Sequence, residues 1–389
     1  MGKTLKFSFL DLIMGKKIVL GMSGGVDSSV AALLLKKQGY EVVGFFMNCD
    51  VRGTSKLPSS IDWQEEEKAL REICDRLGIE LHVHDCEVGY GKKVIGKMVE
   101  DYGKGLTPNP DTLCNKIGKF PKMLKLAREV GAENIATGHY ARVKKSDRGY
   151  ELLRGADKEK DQSYFLCDLN QRILSKVIFP LGEMTKKEVR EIARKNGFGN
   201  WNKRSSRGIC YLGKIDVKKF LKSRIEEKKG EIFFEGEKVG THPGAMFFTI
   251  VERVRDKGGF VLNKDFRKRF SGKLYVAAKE RGNKILIAPE GHESLRTKCV
   301  FIKGFRLINP REKLETEGLK ARIRHLGGLE GGVLRKVGDG GGARRRISEK
   351  THERWVFEFA KGQEGVAAGQ SIVFYRGDKM VASGEIRVK

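Results

Sequence analysis

One six-residue segment constrains the fold more than any other. Ser23-Gly24-Gly25-Val26-Asp27-Ser28 stands between a short apolar run, Lys17–Met22, and a helix-forming stretch, 29–38, which Gly39 closes. Glycines let backbone N–H groups approach an anion at a helix N-terminus, and the serine hydroxyls add donors. The segment therefore calls for a buried strand before it and a helix after it. The pattern repeats downstream. A strand is predicted at 41–47, a helix at Trp63–Leu77 stopped by Gly78, and a strand at Glu80–Asp85. A helix at 114–130, stopped by Gly131, precedes a strand at Asn134–Thr137. Alternation at this spacing predicts an α/β fold with a doubly wound parallel sheet covered on both faces. Thr185 and Glu188 form a T-x-x-E capping box that opens a helix to Asn196, and a last helix follows Asp216.

From about Glu231 the periodicity changes. Short alternating runs at 274–278, 284–288, 371–375 and 380–386 lie between Gly-rich turns, which predicts one or two small β-barrels. Gly338-Asp339-Gly340-Gly341-Gly342, followed by Arg344, Arg345 and Arg346, reads as a flexible basic hairpin tip. The expected domains are 1–210, 211–290 and 291–389, with 1–13 a loose extension. The apolar stretch at 7–14 is broken by Asp11 and has no small-residue cleavage site, and Lys6 stands where a myristoylation motif wants Ser or Thr. No apolar run approaches the roughly 20 residues of a spanning helix, so no membrane partner is expected.

At 389 residues with 39% hydrophobic content, the chain has the composition of a globular protein and not of a disordered one. Its 77 Lys and Arg against 50 Asp and Glu give a net charge of +27, which favours a polyanionic partner, nucleic acid first. Seven cysteines, at 49, 74, 86, 114, 167, 210 and 299, include no C-x-x-C pair. That argues against a zinc ribbon, an iron–sulfur site or a secreted disulfide framework, and for a reducing cytoplasm in which a few thiols do chemistry. No resident metal site is expected. His242, His292 and His352 lack ligand spacing and are assigned to surface loops.

Two cysteines stand in suggestive surroundings. In Thr107-Pro108-Asn109-Pro110-Asp111-Thr112-Leu113-Cys114-Asn115 two prolines fix the backbone and deliver Asp111 and Cys114 to a helix start, where the dipole favours thiolate. Asp111 is placed to accept a proton or orient a polar ring edge. Spacing alone is equally compatible with a buried structural thiol beside a capping Asp. Cys210, in Ser205-Ser206-Arg207-Gly208-Ile209-Cys210, has Lys203, Arg204 and Arg207 as cationic neighbours. Such a pair suits a persulfide carrier and a resolving thiol. The Gly-rich turn lacks the Lys of a Walker A loop, so no γ-phosphate clamp is implied, while Asp27 is suited to placing Mg2+ among phosphate oxygens.

S-G-G-x-D-S after a strand resembles the PP-loop of the ATP pyrophosphatase superfamily. Together with residues 107–115, Thr137-Gly138-His139-Tyr140-Ala141-Arg142, Lys160-Asp161-Gln162-Ser163-Tyr164, Gly208-Ile209-Cys210, Gly369-Gln370 and Phe374-Tyr375, it resembles the bacterial and mitochondrial tRNA-specific 2-thiouridylase family across almost the whole chain. That resemblance implies a Rossmann-like ATP pyrophosphatase domain, a small central β domain and a C-terminal β-barrel. It implies a reaction in which ATP adenylates the 2-oxo group of a wobble uridine, pyrophosphate leaves, and sulfur displaces AMP. Carried onto this sequence, Gly21, Met22, Ser23, Gly24, Gly25, Val26, Asp27, Ser28, Met47 and Gly138 contact ATP. Asn109, Pro110 and Asp111 meet the target base. Cys114 is the nucleophile, Cys210 the persulfide carrier and Asp111 an acid/base. His139, Lys160, Asp161, Gln162, Arg324, His325 and Gln370 fall where the family touches tRNA. The implied cofactors are ATP and Mg2+, and the implied partners are tRNA and an external persulfide donor, either a cysteine desulfurase or a sulfur relay protein.

Two departures stand out. Phe248-Thr249-Ile250-Val251-Glu252-Arg253 replaces the family's Tyr-Thr-Ile-Gly-Gln-Arg, losing a glycine and an amide, and Arg324-His325 replaces Arg-Tyr. Competing readings are another adenylating PP-loop enzyme, of the amide or argininosuccinate type, and a basic tRNA-binding protein without catalysis. Neither requires two reactive cysteines.

Overall fold

The computed structural model describes residues 15–48, 62–85, 91–203, 215–337 and 354–388. Cys49, Cys86, Cys210, the basic hairpin tip, His352 and the N-terminal extension lie outside the described residues. Strand β1 (Lys17–Met22) is apolar because it is covered on both faces: Ile18, Val19 and Leu20 have no exposed surface. It runs parallel to β2 (Glu41–Asn48) and β4 (Asn134–Thr137), while β3 (Glu80–Asp85) pairs parallel with β2. Helix α1 (Val26–Lys37) begins directly after Gly25, three residues earlier than its apolar pattern alone suggested. Helix α2 (Trp63–Leu77) is capped by the Asp62 carboxylate on the N–H groups of Gln64 and Glu65, and ends on Gly78 at φ 60°.

A feature absent from the sequence reading follows β4. Strands β5 (Ala141–Ser146) and β6 (Gly149–Arg154) form an antiparallel hairpin that leaves the parallel sheet. The chain then returns as β7 (Val177–Ile178), beside β4. The parallel sheet thus has the order β3-β2-β1-β4-β7: successive strands are added to one side of β1 and then, from β4, to the other. Open α/β sheets bind ligands at the carboxyl ends of the strands flanking such a switch point.

The second sheet is small, with the order β10-β9-β8-β12-β11. Its strands are β8 (Gly230–Phe234), β9 (Glu237–His242), β10 (Val261–Leu262), β11 (Leu274–Glu280) and β12 (Lys284–Pro289). His242 lies in β9 and is buried, not on a surface loop: its Nδ1 accepts from the Gly244 N–H.

The third unit is a closed barrel. Strands β13 (Arg296–Leu307), β14 (Lys320–Arg322), β15 (Glu330–Val337), β16 (Arg354–Glu364), β17 (Ser371–Arg376) and β18 (Lys379–Arg387) run in the order β13-β16-β15-β14-β17-β18, and β13–β18 pairing shuts the ring. Closure leaves no free edge along the ring. Val300, Ile302, Phe357, Ile372, Phe374 and Ile386 fill the interior. The β5–β6 hairpin adds to this unit, with Leu152 and Leu153 paired to Met380 and Lys379 of β18. The barrel is therefore continuous by backbone hydrogen bonds with a hairpin that the first domain supplies.

Candidate functional site

The Gly-rich turn sits at the carboxyl end of β1, beside the switch point. Gly24 has φ 68°, and a Cβ there would lie 2.8 Å from the Glu66 carboxylate. The hydroxyls of Ser28 and Ser29 both donate to the Gly25 carbonyl, at 3.0 and 3.1 Å, and the Ser23 N–H donates to Ser28 Oγ at 3.2 Å. Gly138, just past β4, must be bare: a Cβ would meet the Asp27 carbonyl carbon at 3.0 Å and the Ser28 nitrogen at 3.1 Å. The turn is thus braced from the far side of the switch point by a residue already singled out in the sequence. Met22, Val26 and Met47, also expected at this site, have buried side chains, so Met22 and Val26 present only backbone atoms to the turn.

Three further residues hold this turn. Asn200 donates to the Gly24 carbonyl at 3.0 Å and to Ser29 Oγ at 3.1 Å. The Asp27 carboxylate accepts from the Tyr140 hydroxyl at 2.7 Å and from the Lys186 ammonium at 2.5 Å. Burial lowers the Lys186 pKa and Asp27 pulls it back up, while burial and then Asp27 raise the Tyr140 phenol. The available signal for Lys186 was its place directly after the Thr185 cap, which the sequence reading used only to mark a helix start. Among the described residues no cluster of three His, Cys, Asp or Glu is arranged to hold a metal. A Mg2+ ion at this turn would rely on phosphate oxygens, water and Asp27, the donor set such ions commonly keep.

The Cys114 segment approaches from β2's side. Asn109 caps the turn Pro110–Leu113 by accepting from the Thr112 N–H at 3.2 Å, with Pro110 as the first helical residue. The helical run continues through a π turn, Cys114–Lys119, into Phe120–Glu129. The helix therefore starts at Pro110, not at Cys114. Asp111 lies in its first turn, and Cys114 one turn further in, beyond the first-turn N–H groups. Cys114 is buried, and its Sγ and Met47 Cε face one bare position: a Cβ on Gly118 would lie 3.7 Å from the sulfur and 4.0 Å from the methyl. π turns of this kind often mark functional sites.

The loop before Asn109 is pinned by both β units. Gln370 Nε2 donates to the carbonyls of Thr107 and Pro108, at 2.8 and 3.2 Å, and the Thr107 N–H donates to the Ala368 carbonyl at 2.7 Å. Gly369, at φ 94°, leaves 2.9 Å between its missing Cβ and Leu106. From the central domain, Thr249 Oγ1 lies 3.4 Å from Thr107 Oγ1.

The residues expected at tRNA fall into distinct settings. Arg324 is exposed, and Lys160 is half-buried. His139 packs between Phe120 and Phe179, with Nδ1 2.6 Å from Thr137 Oγ1, and burial followed by Lys119 holds its pKa well below the ordinary value. Gln162 accepts the Tyr140 N–H at 3.1 Å. Asp161 has no exposed surface; it takes Arg322 at 2.7 Å, Arg154 at 3.1 Å, and the N–H groups of Gly155 and Ser163 at 3.1 Å. Burial would raise that carboxyl, but the bonds from Ser163 and Arg322 outweigh it and hold it low. His325 packs on Phe165 with ring centroids 4.3 Å apart. Asp161, Gln162 and Gln370 thus turn inward and tie loops together. No distance from Cys114 to Cys210 is defined by the described residues.

The comparisons with known proteins agree with this architecture. Residues 16–214 match the model described as tRNA methyl transferase HUP domain, and 297–386 match the aminomethyltransferase beta-barrel domain. A tRNA-specific 2-thiouridylase MnmA from Halalkalibacterium halodurans is 38% identical over 95% of this chain and 94% of its own. The chain belongs to the tRNA-specific 2-thiouridylase family. Family members of the same description from Pseudomonas fluorescens and Staphylococcus aureus are 37% and 35% identical, over 96% and 95% of this chain and 95% of each of their own. The family likeness thus runs through all three units. No helix of the described residues is long and apolar enough to cross a membrane.

Proposed function

We propose that this chain is an ATP-dependent tRNA-uridine 2-sulfurtransferase. The observation that carries the reading is a convergence. The Gly-rich turn at the carboxyl end of β1 and a buried thiol near Met47 at the carboxyl end of β2 lie at the same end of the parallel sheet, in a chain whose full-length relatives bear that description. A 2-oxo group is a poor leaving group. The uridine O2 attacks the α-phosphorus of ATP, pyrophosphate leaves with the electron pair of the broken P–O bond, and the base becomes an O-adenylate. The terminal sulfur of a persulfide on Cys210 then attacks C2, and the C2–O bond breaks with AMP as leaving group. The Cys114 thiolate attacks Cys210 Sγ, which frees the thiolated base and leaves a Cys114–Cys210 disulfide for an external thiol to reduce.

In this scheme Asp111, from the first turn of the same helix, handles the proton at the pyrimidine edge. Asn109 and Pro110 fix the wall against which the base sits, and the base is splayed from its loop to reach it. Gly21, the Ser23 to Ser28 turn and Gly138 bind the nucleotide, with Mg2+ neutralising phosphate charge when bound. Arg324, Lys160 and the surplus of Lys and Arg hold the tRNA backbone, giving affinity that falls with salt. Asp161, Gln162 and Gln370 act on tRNA through the loops they position. The sulfur arrives on Cys210 from an external persulfide protein, and the expected setting is the cytoplasm.

The test is nucleotide turnover with and without tRNA. AMP and pyrophosphate should appear together, and only when substrate tRNA is present. Turnover indifferent to tRNA, or retained fully in both Cys114→Ser and Cys210→Ser, would reject the reading in favour of another adenylating enzyme. No turnover under any condition, with tRNA still bound, would leave a binding protein.

A further inference from the structure

We infer that Asn115 and Asp168 are positioning residues for Cys114: together they fasten the turn that bears the thiol to a strut, residues 163–168, which the barrel holds. The inference rests on the reaction proposed above and adds to it the groups that fix its nucleophile. Cys114 opens a π turn, Cys114–Lys119, between the single turn Pro110–Leu113 and the helix Phe120–Glu129. π winding is rare. The helix after it is fixed, since Phe120, Met123, Leu126 and Ala127 are buried where it packs on β1 and β4. At 3.6 residues per turn one residue accounts for about 100°, so relaxation to α winding would swing Cys114 and Asp111 by about that angle. The wider turn needs outside support.

The two residues after Cys114 supply it. Asn115, only 3% exposed, donates through Nδ2 to the Phe165 carbonyl at 3.1 Å. Lys116 reaches the Asp168 carboxylate at 3.2 Å, and the same carboxylate takes Arg306 of β13. Lys116 is half-exposed, so the buried amide of Asn115 is the stronger tether. The strut is held in turn from the barrel. The Tyr164 hydroxyl donates to the Ser371 carbonyl at 2.8 Å, Ser163 Oγ lies 3.0 Å from the Tyr375 hydroxyl, and Ser383 Oγ donates to the Cys167 carbonyl at 3.0 Å. The strut thus bonds the barrel on one side and the Cys114 turn on the other, and Asp168 bonds both. Gln370 pins the loop before Asn109, and this second hold acts after Cys114, so the thiol is bracketed. The chemistry asks for such precision. As the Cys114–Cys210 bond forms, the bond from Cys210 Sγ to the transferred sulfur breaks, and its electron pair stays with the sulfur on the base. The attacking sulfur must therefore lie in line with the breaking bond, and a misplacement of about 1 Å costs about a hundredfold.

The test combines thiolation kinetics, tRNA binding and the rate at which iodoacetamide alkylates Cys114, read by peptide mass spectrometry, in the full chain. Asn115→Ala should lower kcat for thiolation about tenfold or more, with KM and the tRNA Kd within about twofold of the parent. Its Cys114 should be alkylated about threefold faster or more, because the turn opens more often. Asp168→Asn should shift both readouts the same way. Ser383→Ala removes a barrel bond to the strut that does not touch the Cys114 turn, so it should lower the melting temperature and leave kcat and alkylation at the parent's values. Where Asn115→Ala fails to fold, Lys116→Met, at a half-exposed position, decides the matter by the same two readouts. A folded Asn115→Ala with the parent's kcat and alkylation rate would overturn the inference and leave the proposed reaction standing. So would a fall in kcat as large in Ser383→Ala, which would mark the loss as one of stability alone. A parent protein that makes no thiolated tRNA would overturn the reaction reading and the inference with it.

Discussion

Gln370 of the barrel is hydrogen-bonded through its side-chain amide to the Thr107 carbonyl, 2.8 Å away in the loop that leads to Cys114. A second bond to Pro108 and the Thr107 to Ala368 backbone bond make this a clamp between units far apart in the chain. The barrel thereby sets where Asn109, Pro110 and Asp111 stand.

Gln370→Ala removes two of these bonds. Hydrogen bonds of this kind contribute about 0.5–1.5 kcal/mol each, so roughly 1–3 kcal/mol of stability should go. Thiolation should fall by about tenfold or more, the cost of roughly 1.4 kcal/mol of lost positioning. Denaturant titration and single-turnover thiolation of the variant check both, and a variant with the parent's single-turnover rate would refute the clamp.

Asp161 joins the first domain to the barrel through buried Arg322, and also takes the half-buried Arg154 of β6. Removing one member of a buried pair strands the other charge. Asp161→Ala should cost about 3–5 kcal/mol. Thermal unfolding measures it, and a melting temperature within a degree of the parent would show that Asp161 is no such tie.

Val251 stands at φ 64°, a left-handed conformation that a β-branched residue adopts only under strain, in the segment where the resembled family has glycine. The neighbouring substitution is accommodated: Glu252 takes Lys218 at 2.7 Å and accepts the Thr249 N–H at 3.1 Å. Val251→Gly relieves the strain at the cost of unfolded-state entropy, and should stabilise the chain by about 1 kcal/mol. A lower melting temperature in that variant would contradict the strain argument.

Four histidines have pKa values below the ordinary 6.5, each chiefly through burial: His84, His139, His242 and His325, the last pushed down to about 4. The unfolded chain then binds more protons than the folded one below pH 6.5, so stability is full above that value and is lost as pH falls toward the folded pKa values. The denaturation midpoint should drop between pH 7 and pH 5. His325→Phe, which keeps the ring against Phe165 and removes a buried Nδ1 lacking a partner among the described residues, should flatten that drop. An equally steep drop in the variant would clear His325 of this role.

Much of the fold was legible because it rests on local patterns. β1 reads as a strand from its apolar run, α1 from Gly25 and Gly39 at its ends, and the capping box at Thr185 formed as written, with Glu188 reaching back to the Thr185 N–H. The β5–β6 hairpin was not legible. Lys144 and Lys145 interrupt its alternation, and its reason for being a strand is β18, more than two hundred residues away. The helix start at Pro110 was missed because no apolar period shows before Cys114; the Asn109 cap and Pro110 at the first position were the available cues. At the site, Ser23 to Ser28 declares itself through its two glycines, while Gly138 was named only through the family resemblance and shows its reason, the close approach of Asp27 and Ser28, only in the fold. Lys186, Tyr140 and Asn200 do not, because their partners Asp27, Gly24 and Ser29 become neighbours only after folding.

The most direct test of the account is mass spectrometry of the nucleosides of tRNA incubated with the protein, ATP and a persulfide donor. The parent chain should convert wobble uridine to 2-thiouridine, while Cys114→Ser and Cys210→Ser, still folded and still binding tRNA, should yield none. Thiolation undiminished in either serine variant, or no 2-thiouridine from the parent chain, would contradict it.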